Sequence, residues 1–376
     1  MGAGMDASLL DEEWALLASL LPKGWQGLAR ETGAMRRARG AIKSPDVLLQ
    51  VLLMHVATGL SLQQAAARAS VLKLAEVSDV ALLKRLRTSE GWLRELARQM
   101  FQGSRFASAA PEAPKGRRLR AVDATTVEEP GATGTDWRVH YCITLPDMRC
   151  DFYELTSAEG GESYKRLPVQ AGDIVLADRG YCHREGVAHV LRQQGDVIVR
   201  LNGSIFPLLR ERSDEAIDIL AHLRRLRGRQ PNEWAVRFKA GDELWTGRLC
   251  AVRKSRTAAA AAKLRIQREA DKRQRTLRPE TLEFAEYVFV FASLPQDVLD
   301  TSQVLSLYRA RWQIGLCFKR FKSLLGLGHL PKRSDASARA WIEGKLLTVL
   351  LIERLVHEAR FFSPWGFDLA PQKSLA

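Results

Sequence analysis

The stretch YRARWQIGLCFKRFK, from Tyr308 to Lys322, decides how the rest of the chain is read. It has the spacing of a helix. At about 100° per residue, Tyr308, Arg311, position 315 and Lys322 project within a roughly 60° arc of one face. Three of these positions carry groups suited to a polyanion: an aromatic plane, a guanidinium fork and an ammonium point charge. The plainer reading packs the tyrosine and leaves the two cations solvated. The fourth position is Gly315, which costs a helix about 1 kcal/mol against alanine. A good helix former has no structural use for a glycine there.

Working outward, two aspartates end or interrupt apolar runs. Asp123 lies inside RAVDATT, where Ala121 and Val122 predict burial and aspartate is disfavoured in a strand. Asp178 ends the compact run IVLAD. A lone aspartate at a strand end usually serves a turn or a cap. Two carboxylates at the C-terminal ends of sheet strands are also placed to hold hard Mg²⁺. A pair of such ions can activate water and stabilise the leaving oxygen in phosphodiester cleavage.

Between these points the pattern gives an organisation. Residues 1–102 read as a helical N-terminal domain, with Ser8 and Asp11 as a capping box, Pro22 closing the first helix, and Ser78 with Asp79 capping a later one. Lys84, Arg85 and Arg87 on a late helix allow a helix-turn-helix, and a plain bundle fits equally. Residues 103–118 are an Ala/Pro/Gly/Ser-rich linker. Residues 119–202 begin a sheet: WRVHYCITL alternates with period two, RCDFYELT follows across Pro146-Asp147, and a helical stretch around ESYKRLP leads to IVLAD. Residues 203–286 form an inserted basic subdomain with a hairpin turning at Gly241-Asp242, residues 287–350 resume the sheet and carry the Tyr308 helix, and residues 351–376 are a tail. Antiparallel strands followed by alternating strands and helices predict an α/β fold with a mixed sheet.

The charge supports a nucleic-acid partner. Fifty-seven basic against 43 acidic residues give +14, and Arg253 to Arg278 alone contributes ten basic and two acidic side chains. Five cysteines without a CxxC pair, and histidines without metal spacing, argue against zinc and for a reducing cytoplasm. No apolar run is long enough to span a bilayer, so no membrane partner is expected.

Tyr-x2-Arg-x3-Glu-x6-Lys is the YREK signature of a group of bacterial insertion-sequence DDE transposases, the IS-four family. The Tyr308–Lys322 stretch resembles it at the Tyr, the Arg, the Lys and the RWQI and FK context that includes Lys319. AVDATTV resembles the first catalytic block, LADRGY the second, and YVFVFASLP the strand before the signature helix. The resemblance covers roughly residues 115 to 350. It implies an RNase H-like mixed sheet flanked by helices, with a β-rich basic insertion before the last catalytic helix. It implies Asp123, Asp178 and a helix-borne Glu on two Mg²⁺ or Mn²⁺ ions. It further implies Tyr308, Arg311, Lys319 and Lys322 on double-stranded DNA at the terminal inverted repeats, and a homodimeric synaptic complex near the nucleoid.

The departure is Gly315, which stands where the signature has Glu. No Asp or Glu occurs from Thr301 to Ser334; Asp300 precedes the helix as its cap and Glu343 belongs to the next element. A substitute acid has to come from a distant segment. The expectation is a transposase that binds its ends through phosphate contacts but cleaves and joins them poorly. The alternatives are a catalytically silent DNA-binding descendant, and a nuclease of the same fold without end preference.

Overall fold

The computed structural model describes residues 7–36, 40–101, 113–128, 131, 137–145, 149–157, 159–203, 205–328, 330–331 and 334–359. Most of the linker, the Pro146-Asp147 turn and the tail beyond 359 lie outside the described residues. The chain opens with α1 (Ala7–Ser19), α2 (Trp25–Glu31), α3 (Pro45–Val56), α4 (Leu62–Val71), α5 (Asp79–Thr88) and α6 (Glu90–Phe101). Ser44, Ser61 and Ser78 each accept an N–H of the first turn, at 3.2, 3.1 and 3.2 Å, which sets where α3, α4 and α5 begin. Because α1 already runs from Ala7, Ser8 is inside the helix and not its cap.

The sheet follows with β1 (Arg118–Val127), β2 (Trp137–Leu145), β3 (Arg149–Ser157), β4 (Asp173–Ala177), α7 (Arg184–Arg192) and β5 (Asp196–Arg200). Next come β6 (Leu209–Arg210), α8 (Ile219–Arg224), β7 (Asn232–Ala240), β8 (Glu243–Arg253), α9 (Arg256–Lys272) and α10 (Pro279–Phe284). The chain closes with β9 (Tyr287–Ala292), α11 (Thr301–Ala310), α12 (Trp312–Leu325) and α13 (Asp335–Ala359). Among the described residues one nine-stranded sheet runs β3-β2-β1-β4-β5-β9-β8-β7-β6. β1, β2 and β3 are antiparallel, β4 and β5 continue parallel to β1, and β9 returns antiparallel between β5 and β8. The fold is mixed α/β, and the basic segment before β9 supplies strands to the same sheet.

Both faces of the central strands are covered, so their residues are apolar without interruption. Ile174, Leu176 and Ile198 join a cluster that contains α11, α12, α13 and the N-terminal helices, while Val175, Ala177, Val197 and Val199 join a second cluster with Phe206, Phe238 and Phe291. α13 lies against α3, α5 and α6, and Arg87 Nε donates to Ser337 Oγ at 2.8 Å, which ties that arginine to α13.

The stretch expected to be helical around ESYKRLP holds only a 3₁₀ turn, Tyr164–Arg166, with Ser163 accepting the Lys165 N–H at 3.2 Å. Gly160-Gly161 before it and Pro168 after it leave too few residues to nucleate a helix.

A buried charge network fixes the register that matters most. Arg118 is paired with Asp173 across β1 and β4, with Nε to Oδ1 at 2.7 Å and Nη2 to Oδ2 at 2.9 Å. Arg120, 1% exposed, donates Nη1 to Asp173 Oδ2 at 3.0 Å and Nη2 to Asp151 Oδ1 at 2.9 Å. Arg120→Met strips these buried carboxylates of a partner, and the expected loss is about 3 kcal/mol in urea unfolding. An unchanged midpoint contradicts the clamp.

Candidate active site

The register carried by that network runs Arg118↔Asp173 to Val122↔Ala177. One residue further, Asp123 and Asp178 stand beside each other on adjacent parallel strands. Side chains alternate along a strand, so both point to the face covered by α11 and α12. Asp178 follows the last residue of β4, as expected. Asp123 does not end its strand: it is central in β1, which continues to Val127. The strand end that matters is that of β4, which exposes the flank of β1 beside Asp123.

Each aspartate bends its own backbone. Asp178 Oδ1 accepts the Gly180 N–H at 2.7 Å and Asp123 Oδ1 accepts the Ala124 N–H at 2.9 Å. Asp123 is 19% exposed, and burial first, then the charge of Asp178, push its carboxyl up to about 6. The Ala124 N–H and Arg311 oppose that rise.

Arg311 is part of the same site. Its Nη1 lies 3.4 Å from Asp123 Oδ2, and its guanidinium stands 5.9 Å from the centre of the Tyr308 ring. Tyr308 is half-buried, packed on the core beneath it, and burial raises its hydroxyl pKa. The helix expected to be continuous from Tyr308 to Lys322 is interrupted at Arg311, the joint between α11 and α12. There the bonds tighten to Arg311 N–H to Tyr308 O at 3.1 Å and Ile314 N–H to Arg311 O at 3.2 Å. Arg311 keeps helical dihedrals, φ −53° and ψ −30°, so position 315 lies one turn further on. Ile314 and Phe318 are buried, which turns Gly315, Lys319 and Lys322 outward to exposed positions.

A Cβ at Gly315 meets nothing within 4 Å among the described residues. Asp300 caps α11 with Gln303 in a capping box, as expected. Glu343 is buried in α13, accepts the Tyr153 hydroxyl at 2.8 Å and is taken up there.

A distant acid does approach Asp178, and the sequence reading missed it. Glu162, in the irregular segment before the 3₁₀ turn, places Oε2 where a Cβ of Gly180 would be, and that same Cβ would lie 3.1 Å from Asp178 Oδ1. Burial, then Asp178, then Asp123 raise the Glu162 carboxyl to about 7. The only signals available beforehand were the Gly160-Gly161 pair and the glycine of DRGY. Among the described residues no three His, Cys, Asp or Glu side chains converge as a ready-made metal cage. The donors present are all carboxylate oxygens, which suits a hard divalent ion, and their mutual repulsion is what such an ion relieves.

Residues 159–351 match the family described as the transposase DDE domain. The transposase for insertion sequence element IS421 of Escherichia coli is 34% identical over 367 residues, covering 94% of this chain and 96% of that protein. The InsL protein for element IS186A of Escherichia coli (strain K12) is 34% identical over 366 residues, with the same coverage of 94% and 96%. The catalytic domain of human Endonuclease V aligns with 66% of this chain and 98% of its own length at 13% identity and a TM-score of 0.30. With a relative of this identity aligned along nearly its whole length, the chain belongs to the DDE transposases of bacterial insertion sequences.

Proposed function

We propose that the protein binds the ends of its own insertion sequence and carries a metal-dependent strand-cleavage and joining centre at Asp123 and Asp178. The observation that carries this reading is the juxtaposition of the two carboxylates at the end of β4, with Arg311 against Asp123. The order β3-β2-β1-β4-β5, antiparallel then parallel, supports an RNase H-like core split by the basic insertion at 203–286. On this reading the helices of 1–102 are a domain appended before the 103–118 linker, whereas the tail expected from 351 begins inside α13, which continues to Ala359.

Divalent cations, Mg²⁺ or Mn²⁺, supply activation of the attacking oxygen and stabilisation of the leaving one. Asp123 and Asp178 would hold them. Arg311 lies where a phosphate approaching the acids would meet it, and its fork fits two phosphate oxygens. Tyr308 props that guanidinium from below. Lys319 and Lys322, exposed on α12, extend the cationic face along the DNA. α9 adds Arg265, Arg268 and Lys272, all exposed, whereas Arg253 and Lys263 are engaged with Glu286 at 2.9 and 2.6 Å. The bare position at 315 removes the anchor of a second ion, so cleavage is weak while binding persists. Two copies would pair the ends in the synaptic complex, in the cytoplasm at the nucleoid.

Binding is tested on duplex DNA carrying the terminal inverted repeats. Affinity should be the same with and without divalent ion, and Lys319→Ala with Lys322→Ala should reduce the log–log salt slope by about 2. Inverted-repeat DNA bound no better than unrelated duplex contradicts end recognition. A chain that binds its ends but never cleaves them, even with Mn²⁺, is a silent DNA-binding descendant, the second reading favoured by Gly315.

A further inference from the structure

We propose that Glu162 is a third metal-holding carboxylate of this centre, closing on the ion shared by Asp123 and Asp178; the inference rests on the metal-dependent reading of that pair. No sequence motif points to Glu162. It arrives from the irregular segment between β3 and β4, and it occupies the space that the missing side chain of Gly180 leaves beside Asp178. A glycine at 180 is thereby accounted for: any Cβ there collides with the Glu162 carboxylate. Glu162 accepts no hydrogen bond and makes no ion pair among the described residues. A half-buried carboxylate beside two others, with the charge of Arg138 on it and of Arg311 on Asp123 offsetting only part of the repulsion, is unfavourable unless something positive is shared between them.

A second feature points the same way. The Tyr181 hydroxyl is buried, with 1% of the residue exposed, and has no hydrogen-bond partner among the described residues. The charges it feels most are those of Glu162 and then Asp123, with Asp178 also contributing. A buried hydroxyl without a partner is costly, and the water that a hard cation retains supplies one. The neighbouring Tyr164 hydroxyl is likewise unpartnered, with the two rings 5.4 Å apart. The three carboxylates and these hydroxyls are oxygen groups throughout, which selects Mg²⁺ or Mn²⁺ over zinc. In the ion-free arrangement the acids do not converge on one point. Glu162, with the longest side chain, is the member able to close.

The consequence is specific to this chain. Loss of the signature acid at 315 removes the second ion's anchor, but the first ion keeps three carboxylates and stays bound. The test is isothermal titration of the full chain with Mn²⁺ alone, alongside thermal unfolding without the ion. Glu162→Gln should weaken Mn²⁺ about tenfold or more and leave the ion-free midpoint unchanged or higher, since a repelled charge is gone. A carboxylate with a merely structural role would lower that midpoint and leave Mn²⁺ affinity alone. Asp123→Asn serves as the reference. If Asp123→Asn weakens binding and Glu162→Gln does not, the inference about Glu162 falls and the reading of the aspartates stands. If neither weakens it, both fall. Should Glu162→Gln fail to fold, Gly180→Ala displaces the flexible carboxylate by its added Cβ. The same weakening is then expected, and wild-type affinity overturns the proposal.

Discussion

Gly315→Glu is expected to raise Mg²⁺-dependent cleavage of the protein's own insertion-sequence ends by about a hundredfold or more. A Cβ at 315 meets nothing within 4 Å among the described residues, and the position is exposed, so a longer side chain has room to extend. The position follows Arg311 by one helical turn, and Arg311 touches Asp123 at 3.4 Å. Residues four apart share a helix face, so a carboxylate at 315 is directed along the side from which Arg311 reaches the acids. The gain would come from charge and not from helix stability. Glutamate also favours the helix over glycine by about half a kcal/mol, so Gly315→Gln is the control: it should gain the same stability and no cleavage. Equal gain from Gln and Glu would remove position 315 from the metal centre. Cleavage is read on labelled inverted-repeat duplex at fixed ionic strength.

Asp123→Asn is expected to abolish Mn²⁺-dependent cleavage and, at the same time, to stabilise the ion-free protein by about 2 kcal/mol at pH 7.5. The two effects have one cause. In the folded chain burial and Asp178 raise the Asp123 carboxyl from 3.8 to about 6. Between those values the folded state keeps a proton that the unfolded chain has released. Stability is therefore greatest below the lower value and falls as pH rises through the upper one. The asparagine variant carries no such proton, so its stability should be flatter across that window, and the difference from wild type should vanish near pH 4. Guanidinium unfolding at pH 4.5, 6 and 7.5 reads this directly. A variant less stable than wild type at pH 7.5 would mean that Asp123 is held by attraction, and the picture of two repelling carboxylates would be wrong.

The parts of this centre that were legible beforehand share one property: they break a local rule. Asp123 and Asp178 interrupt apolar runs whose residues are buried on both faces, and Gly315 interrupts a helical face. Period-two alternation in β2 and the apolar run of β4 likewise identify strands, because their burial is set by nearest neighbours in the sheet. Glu162 breaks no local rule. It stands among Ser163, Tyr164, Lys165 and Arg166, an ordinary polar stretch, and only the chain path from β3 to β4 brings it to Gly180. The same holds for the packing of α13 against α3, α5 and α6, which joins residues far apart in the chain. The interruption at Arg311 is hidden because a single tightened turn leaves the apolar spacing of Leu307, Ala310, Ile314 and Phe318 intact. Ser163 and Pro168 explain why ESYKRLP, whose composition suits a helix, yields only one turn.

The pairing of Asp123 with Asp178 is the claim on which the rest depends, and counting bound manganese by electron paramagnetic resonance tests it most directly. Wild type should hold one Mn²⁺ per chain, Gly315→Glu two, and Asp178→Asn none at the same free concentration. Undiminished Mn²⁺ on Asp178→Asn would contradict the account.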